Sequence, residues 1–158
     1  MWLRPRIEAT RRGDFRLRLT RGERDALRSL PGQLRELLAT DDPSLVRLFP
    51  PAYPDDQEWN DEFERLTRGE LRGTKADALR VMEETVDAER LTEEQLRAWL
   101  GALNDLRLVL GTRLEVTEET YAEDVLPGDP RAPELALFAY LSWLQEQVVA
   151  ALATGPRG

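Results

Sequence analysis

Leu100, Asn104, Arg107 and Gly111 share one edge of a helix-period segment. An amide, a guanidinium and a gap for a close-approaching backbone suit a carboxylate, a phosphate or a backbone carbonyl. The competing reading is an internal polar network in which Arg107 pairs with a carboxylate from a neighbouring helix. That reading is preferred, because a half-buried arginine demands such a partner. A second constellation is acidic: Asp55, Asp56, Asp61, Glu62 and Glu64 are the hard oxygen ligands a Mg²⁺ enzyme would need. Yet Asp56 and Asp61 are five apart, off the spacing that puts a pair on one helix face, and no DDxxD run is present. Glu83-Glu84 lacks the histidine that accompanies carboxylates in di-iron bundles. A solvated acidic face with helix-start caps is preferred to a metal site, and no metal or cofactor is expected.

The chain has neither histidine nor cysteine, which removes imidazole acid–base chemistry, thiolate nucleophiles and the ligands of zinc and iron–sulfur sites. Ser29, Ser44 and Ser142 have no imidazole base. Lys75, the only lysine, follows Thr74 among polar neighbours, where an exposed side chain is expected rather than half of a Ser–Lys dyad. Two carboxylates can perform acid–base work unaided, but no spacing selects a pair, and no Gly-rich phosphate loop occurs. A non-enzymatic protein that works by contact is the main reading, with a carboxylate–Mg enzyme as an alternative.

Charge is unevenly placed. Residues 1–40 hold ten arginines against five acidic residues, a net +5, while residues 41–158 carry a net −13. A basic ribbon bearing Arg4, Arg6, Arg16 and Arg18 can enter a major groove or neutralise phosphates, so a nucleic-acid-binding regulator is a further alternative. The acidic body and the pI near 4.8 oppose it. The stretch Phe49-Pro50-Pro51-Ala52-Tyr53-Pro54-Asp55-Asp56 is stiff and aromatic, a segment that loses little chain entropy on docking. Phe49, Pro50, Pro51, Tyr53, Asp55 and Asp56, with Asn104 and Arg107, are the candidate partner-binding residues. The alternative for the aromatics is that they plug the bundle.

The elements that must position these groups are mostly α-helical: a bundle of about five to six helices with a small N-terminal antiparallel β-hairpin. Leu3, Ile7 and Ala9, then Phe15, Leu17 and Leu19, alternate with polar residues on either side of an Arg12-Gly13-Asp14 turn. Residues 1–20 are read as the hairpin and 21–154 as the bundle of a single domain. Thr20 with Glu23 and Thr92 with Gln95 make capping boxes. Pro31-Gly32 interrupts the leucine row that follows Thr20, and Pro43 starts a short turn of helix. Gly69 and Gly73 are expected to end one helix, and Thr74 to cap the next, with Leu79, Met82 and Val86 buried. Leu96, Trp99, Leu103, Leu106 and Leu110 form the row of another helix, and Thr117 begins a short acidic one. The last helix, from about Ala132, is apolar nearly all round, so it is either central or covered by a second copy in a homodimer. Its apolar stretch, Leu135 to Leu144, is too short for a membrane span, and MWLRPRIEAT has no apolar leader core. The cytoplasm is the expected compartment.

The segments LFPPAYPDD (48–56) and LNDLRLVLGTRL (103–114), with the acidic helix between them, resemble an actinobacterial domain of unknown function, twenty-seventeen in its numbered series. The resemblance runs from the hairpin to the last helix. It implies an accessory or regulatory protein, often encoded beside the ClpS protease adaptor, with a link to protein turnover or sulfur metabolism. It assigns no catalytic residue and no cofactor. The expected partner is therefore another protein.

Overall fold

Alternating apolar residues build the N-terminal ribbon. Strands β1 (Ile7–Ala9) and β2 (Phe15–Leu17) pair antiparallel, Ile7 opposite Leu17 and Ala9 opposite Phe15. The period of two sends Ile7, Phe15 and Leu17 into the core, and Gly13, at φ 87°, turns the chain between them. The computed structural model describes residues 4–49, 57–115 and 128–155, with the side chains of 57–64 and 66 outside that description. The ribbon gains a third strand, β3 (Arg90–Leu91), which sets Leu91 opposite Phe15 and Arg90 opposite Arg16. Two residues are too few to alternate, so the sequence pattern held only a hairpin.

Helix α1 (Arg21–Arg28) begins at Thr20, whose hydroxyl accepts from the Glu23 N–H while the Glu23 carboxylate accepts from the Thr20 N–H. Ser29 separates it from α2 (Leu30–Leu38), where Pro31 sits in the first turn and has no N–H to continue α1. A 3₁₀ helix (Pro43–Leu48) follows, capped by Asp42, which accepts from the Ser44 N–H at 2.8 Å.

Helix α3 (Gln57–Thr85) is one continuous element of 29 residues. The expected break at Gly69–Thr74 is absent. A Cβ at Gly69 or Gly73 would meet nothing within 4 Å. Both are open positions where glycine costs about 1 kcal/mol of helix propensity, and the burial of Leu79 and Met82 further along the helix offsets that cost. Helix α4 (Glu93–Arg113) starts at the Thr92–Gln95 capping box and buries Leu96, Trp99, Leu103 and Leu106 against α3 and α5 (Ala132–Thr154). Trp99 is fully buried, and its indole N–H donates to Thr85 Oγ1 at 2.7 Å. The short acidic helix expected at Thr117 falls outside the described residues.

Helix α5 contributes Leu141, Leu144, Val148 and Ala151 to the core. It is also the one described helix whose length and composition would cross a membrane: 23 residues, mean hydropathy 1.3 over its most apolar window, 22% of that window buried. This corrects the expectation that its apolar stretch is too short, because Val148-Val149-Ala150-Ala151-Leu152-Ala153 extends it. Its place in the fold is that of a core helix with one bare side. Tyr140, Gln145 and Gln147 tie it to Glu23, Asn104 and the Arg6 N–H.

Candidate functional site

Helix α5 packs on α4 through every third or fourth residue, which leaves Ser142, Gln145, Glu146 and Val149 beside the polar edge of α4. There Arg107, Ser142, Gln145, Glu146, Val149 and Ala150 line a groove of about 390 Å³. Arg107 Nε and Ser142 Oγ are both buried without a hydrogen-bond partner among the described residues. An unsatisfied buried polar atom costs roughly 1–3 kcal/mol, so two in one groove mark a place where an incoming group would be welcome. The groove presents donors from a guanidinium, a hydroxyl and an amide, one carboxylate at Glu146 and an apolar wall at Val149. That set fits a peptide backbone or a carboxylate-bearing side chain.

The preferred expectation for Arg107, an ion pair across helices, is not met among the described residues. Such a pair exists nearby, made by other residues. Lys75 of α3 donates to Asp105 of α4 at 3.1 and 3.2 Å, with the side chains 19% and 5% exposed. Burial pushes the Asp105 carboxyl up, and the charge and hydrogen bond of Lys75 pull it back only in part. Lys75 is thus no exposed lysine. Asn104 belongs to this polar run: it acts to lower the Asp105 carboxyl and accepts from the Gln145 amide at 3.4 Å. The signal for Asp105 was legible in its register, three residues after Ala102 and four before Val109, both buried. The gap at Gly111 is not open to a ligand either. A Cβ there would lie 2.9 Å from the Phe138 ring of α5. Gly111→Val is expected to cost about 2 kcal/mol by overpacking, measured as a lower urea midpoint with an unchanged slope.

Phe49 is buried, with the Arg68 and Arg72 guanidinium carbons 4.7 and 5.7 Å from its ring centroid. It plugs the bundle and is not available to a partner. Pro50, Pro51, Tyr53, Asp55 and Asp56 lie outside the described residues, as do the side chains of Asp61, Glu62 and Glu64. Among the described residues no three acidic side chains converge on a point that would hold a metal ion.

The four hairpin arginines do not form one free face. Arg6 donates to Glu23 at 2.8 Å and lies 5.4 Å over the Trp143 ring. Arg18 pairs with Glu8 at 3.0 Å. Arg4 is exposed, and Arg16 has no described ion pair. Glu23 also accepts from the Tyr140 hydroxyl at 2.6 Å. Burial acts to raise the Glu23 carboxyl, but the hydrogen bonds from Tyr140 and Thr20 and the charge of Arg6 outweigh it and hold it below the usual range. Burial and that same carboxylate push the Tyr140 hydroxyl far above its ordinary value. Beyond this lock, the outer side of α5 is bare, with Trp143 38% and Val149 49% exposed.

Residues 4–152 match the model of a family described as a domain of unknown function (DUF2017). The chain is similar to the oxidative stress regulator AosR of Mycobacterium tuberculosis (strain ATCC 25618 / H37Rv), 33% identical over 129 residues, covering 70% of this chain and 58% of that one. The AosR of Mycobacterium bovis (strain ATCC BAA-935 / AF2122/97) aligns with the same figures, and a Mycobacterium leprae relative is 33% identical over 129 residues, 71% of this chain and 59% of its own. The chain therefore spans about three fifths of the length of the curated relatives it matches. No solved structure matches it.

Proposed function

From the premise that this chain belongs to the DUF2017 family, we propose that it is a non-enzymatic regulatory protein of the cytoplasm. It acts by docking another protein along the groove at Arg107 and the bare side of α5. The observation that carries the reading is the pairing of two unsatisfied buried polar atoms with a helix only 22% buried in its most apolar window. An exposed apolar strip rimmed by polar groups is the usual signature of an interaction surface. The name of the mycobacterial relatives supports regulation in the response to oxidants.

In that response this chain conveys a signal and does not detect the oxidant. It has no cysteine among its 158 residues, so the thiols that redox sensors use are missing, and the thioether of Met82 is fully buried. The resemblance noted from the sequence extends the proposal to protein turnover and sulfur metabolism, whose proteins are the first partners to test.

The test is complementation of a strain lacking the protein. Arg107→Ala with Val149→Glu removes the groove's cation and charges its apolar wall at two positions outside the buried core. The variant is expected to melt within a degree or two of wild type and to fail in restoring survival and transcript levels under hydrogen peroxide. Full restoration would sink the proposal. A second copy of the chain is the other occupant this face would accept: Ala136, Ala139, Trp143, Glu146, Ala150 and Ala153 are all exposed and recur at steps of three and four. Sedimentation velocity at high concentration separates the two, because only self-association shifts with the chain's own concentration.

A further inference from the structure

Between β2, β3 and the start of α1 lies a second concavity, about 440 Å³ in volume, with Arg16, Arg18, Arg24 and Arg90 in its lining and Glu89 as the one acidic residue among the described residues that line it. Arg24 is its fixed point. Its guanidinium donates to four backbone carbonyls, those of Val86 at 2.7 Å, Ala88 at 2.9 Å, and Leu17 and Leu19 at 3.2 Å. Carbonyls hold the group in place without neutralising it, and no described carboxylate forms an ion pair with it.

Arg16 and Arg90 face each other directly across the β2–β3 ladder, an arrangement of like charges that sheets normally avoid. Glu8 occupies Arg18 Nη2 at 3.0 Å and Asp14 occupies Arg90 Nη1 at 3.3 Å, and neither acid lines the concavity. Arg18 Nε remains buried without a partner among the described residues. The result is a pocket with three more positive than negative lining residues on a chain of net charge −8.

We infer that this pocket binds a phosphorylated small molecule. Guanidinium forks match the paired oxygens of a phosphate, and the volume is that of a small-ligand site. Glu89 supplies the acceptor that a sugar or alcohol hydroxyl on such a molecule requires. A compact anion fits better than a nucleic acid, because residues 41–158, with a net −13, repel a long polyanion passing over the rest of the surface. The pocket is separate from the α4–α5 groove and does not depend on the docking role given to it.

Calorimetric titration of the full chain with pyrophosphate, and in parallel with adenosine diphosphate, tests the inference. One pyrophosphate is expected to bind, and Arg16→Ala with Arg90→Ala is expected to weaken it about tenfold or more, since two charge-assisted forks are lost. Arg47→Ala, an exposed substitution on the 3₁₀ helix, leaves binding unchanged. Without ligand the double variant melts close to wild type, because removal of the facing positive charges offsets loss of the partly exposed Arg90–Asp14 ion pair. The arginine Nε–Hε signals of the wild-type protein give a second reading that needs no variant: those of Arg16, Arg18 and Arg90 shift on adding pyrophosphate. No heat and no shift overturns the inference, as does equal binding by wild type and double variant. A duplex oligonucleotide that binds more tightly than pyrophosphate, along a steep salt slope, overturns it in favour of nucleic acid.

Discussion

Glu23→Ala lowers the unfolding free energy by about 3 kcal/mol at neutral pH. One carboxylate joins three parts of the chain: Oε1 accepts from Arg6 Nε at 2.8 Å and from the Thr20 N–H at 3.0 Å, and Oε2 accepts from the Tyr140 hydroxyl at 2.6 Å. With only 13% of the side chain exposed, solvent cannot replace it for all three donors at once. The substitution strands a guanidinium, a phenol and the N-cap amide together, and the capping box alone accounts for about 1 kcal/mol. Tyr140→Phe, which removes one donor and strands none, costs about 1 kcal/mol. Because the folded carboxyl sits below its usual range, the stabilisation is fully present above the unfolded value near pH 4.3 and is lost as pH falls through the folded one. Glu23→Gln therefore loses less stability between pH 5 and 3 than wild type does. Urea denaturation across that interval checks both parts, and an equal acid loss in the two proteins would rule out the lock.

Lys75→Met costs a similar amount, about 3 kcal/mol at pH 7, and its cost shrinks in acid. The substitution leaves Asp105, 5% exposed, as a buried carboxylate without its cation. Its carboxyl already lies above the usual value because burial dominates, and loss of the ammonium raises it further. A group whose folded value is raised gains a proton in the folded state first, so lowering the pH toward the unfolded value near 3.9 favours folding. The variant's deficit at pH 5 is expected to be less than half of that at pH 7, and Lys75→Met with Asp105→Leu recovers wild-type stability or exceeds it. A deficit that does not change between the two pH values would contradict the buried pair.

The residues that could be read from the sequence are those whose pattern repeats. Thr20–Glu23 and Thr92–Gln95 announce helix starts with local chemistry, and the Leu96 to Leu106 row announces a buried face by its period. What stayed hidden depends on partners far along the chain. Arg24 looks like any helix arginine until the Val86–Ala88 turn is brought beside it, and Lys75 looks exposed because its sequence neighbours are polar while its spatial neighbour is Asp105. The break expected at Gly69–Thr74 failed for a different reason: local propensity is worth a few kcal/mol at most, and a long helix seated on a core overrides it. In the candidate site, Arg107 was singled out on its helix edge, whereas Ser142 gave no signal, since a single serine in an apolar helix has no period to betray which neighbour it meets.

The contacts of Arg6 and Glu23 with Tyr140, Trp143 and Gln147 span more than a hundred positions of sequence, up to 141 between Arg6 and Gln147. On the ribosome, the ribbon and first helix must therefore wait, with these donors unmatched, until residues 140–147 have left the exit tunnel. A nascent chain stalled before Ala132 would offer that unmatched surface to any chaperone waiting at the exit tunnel.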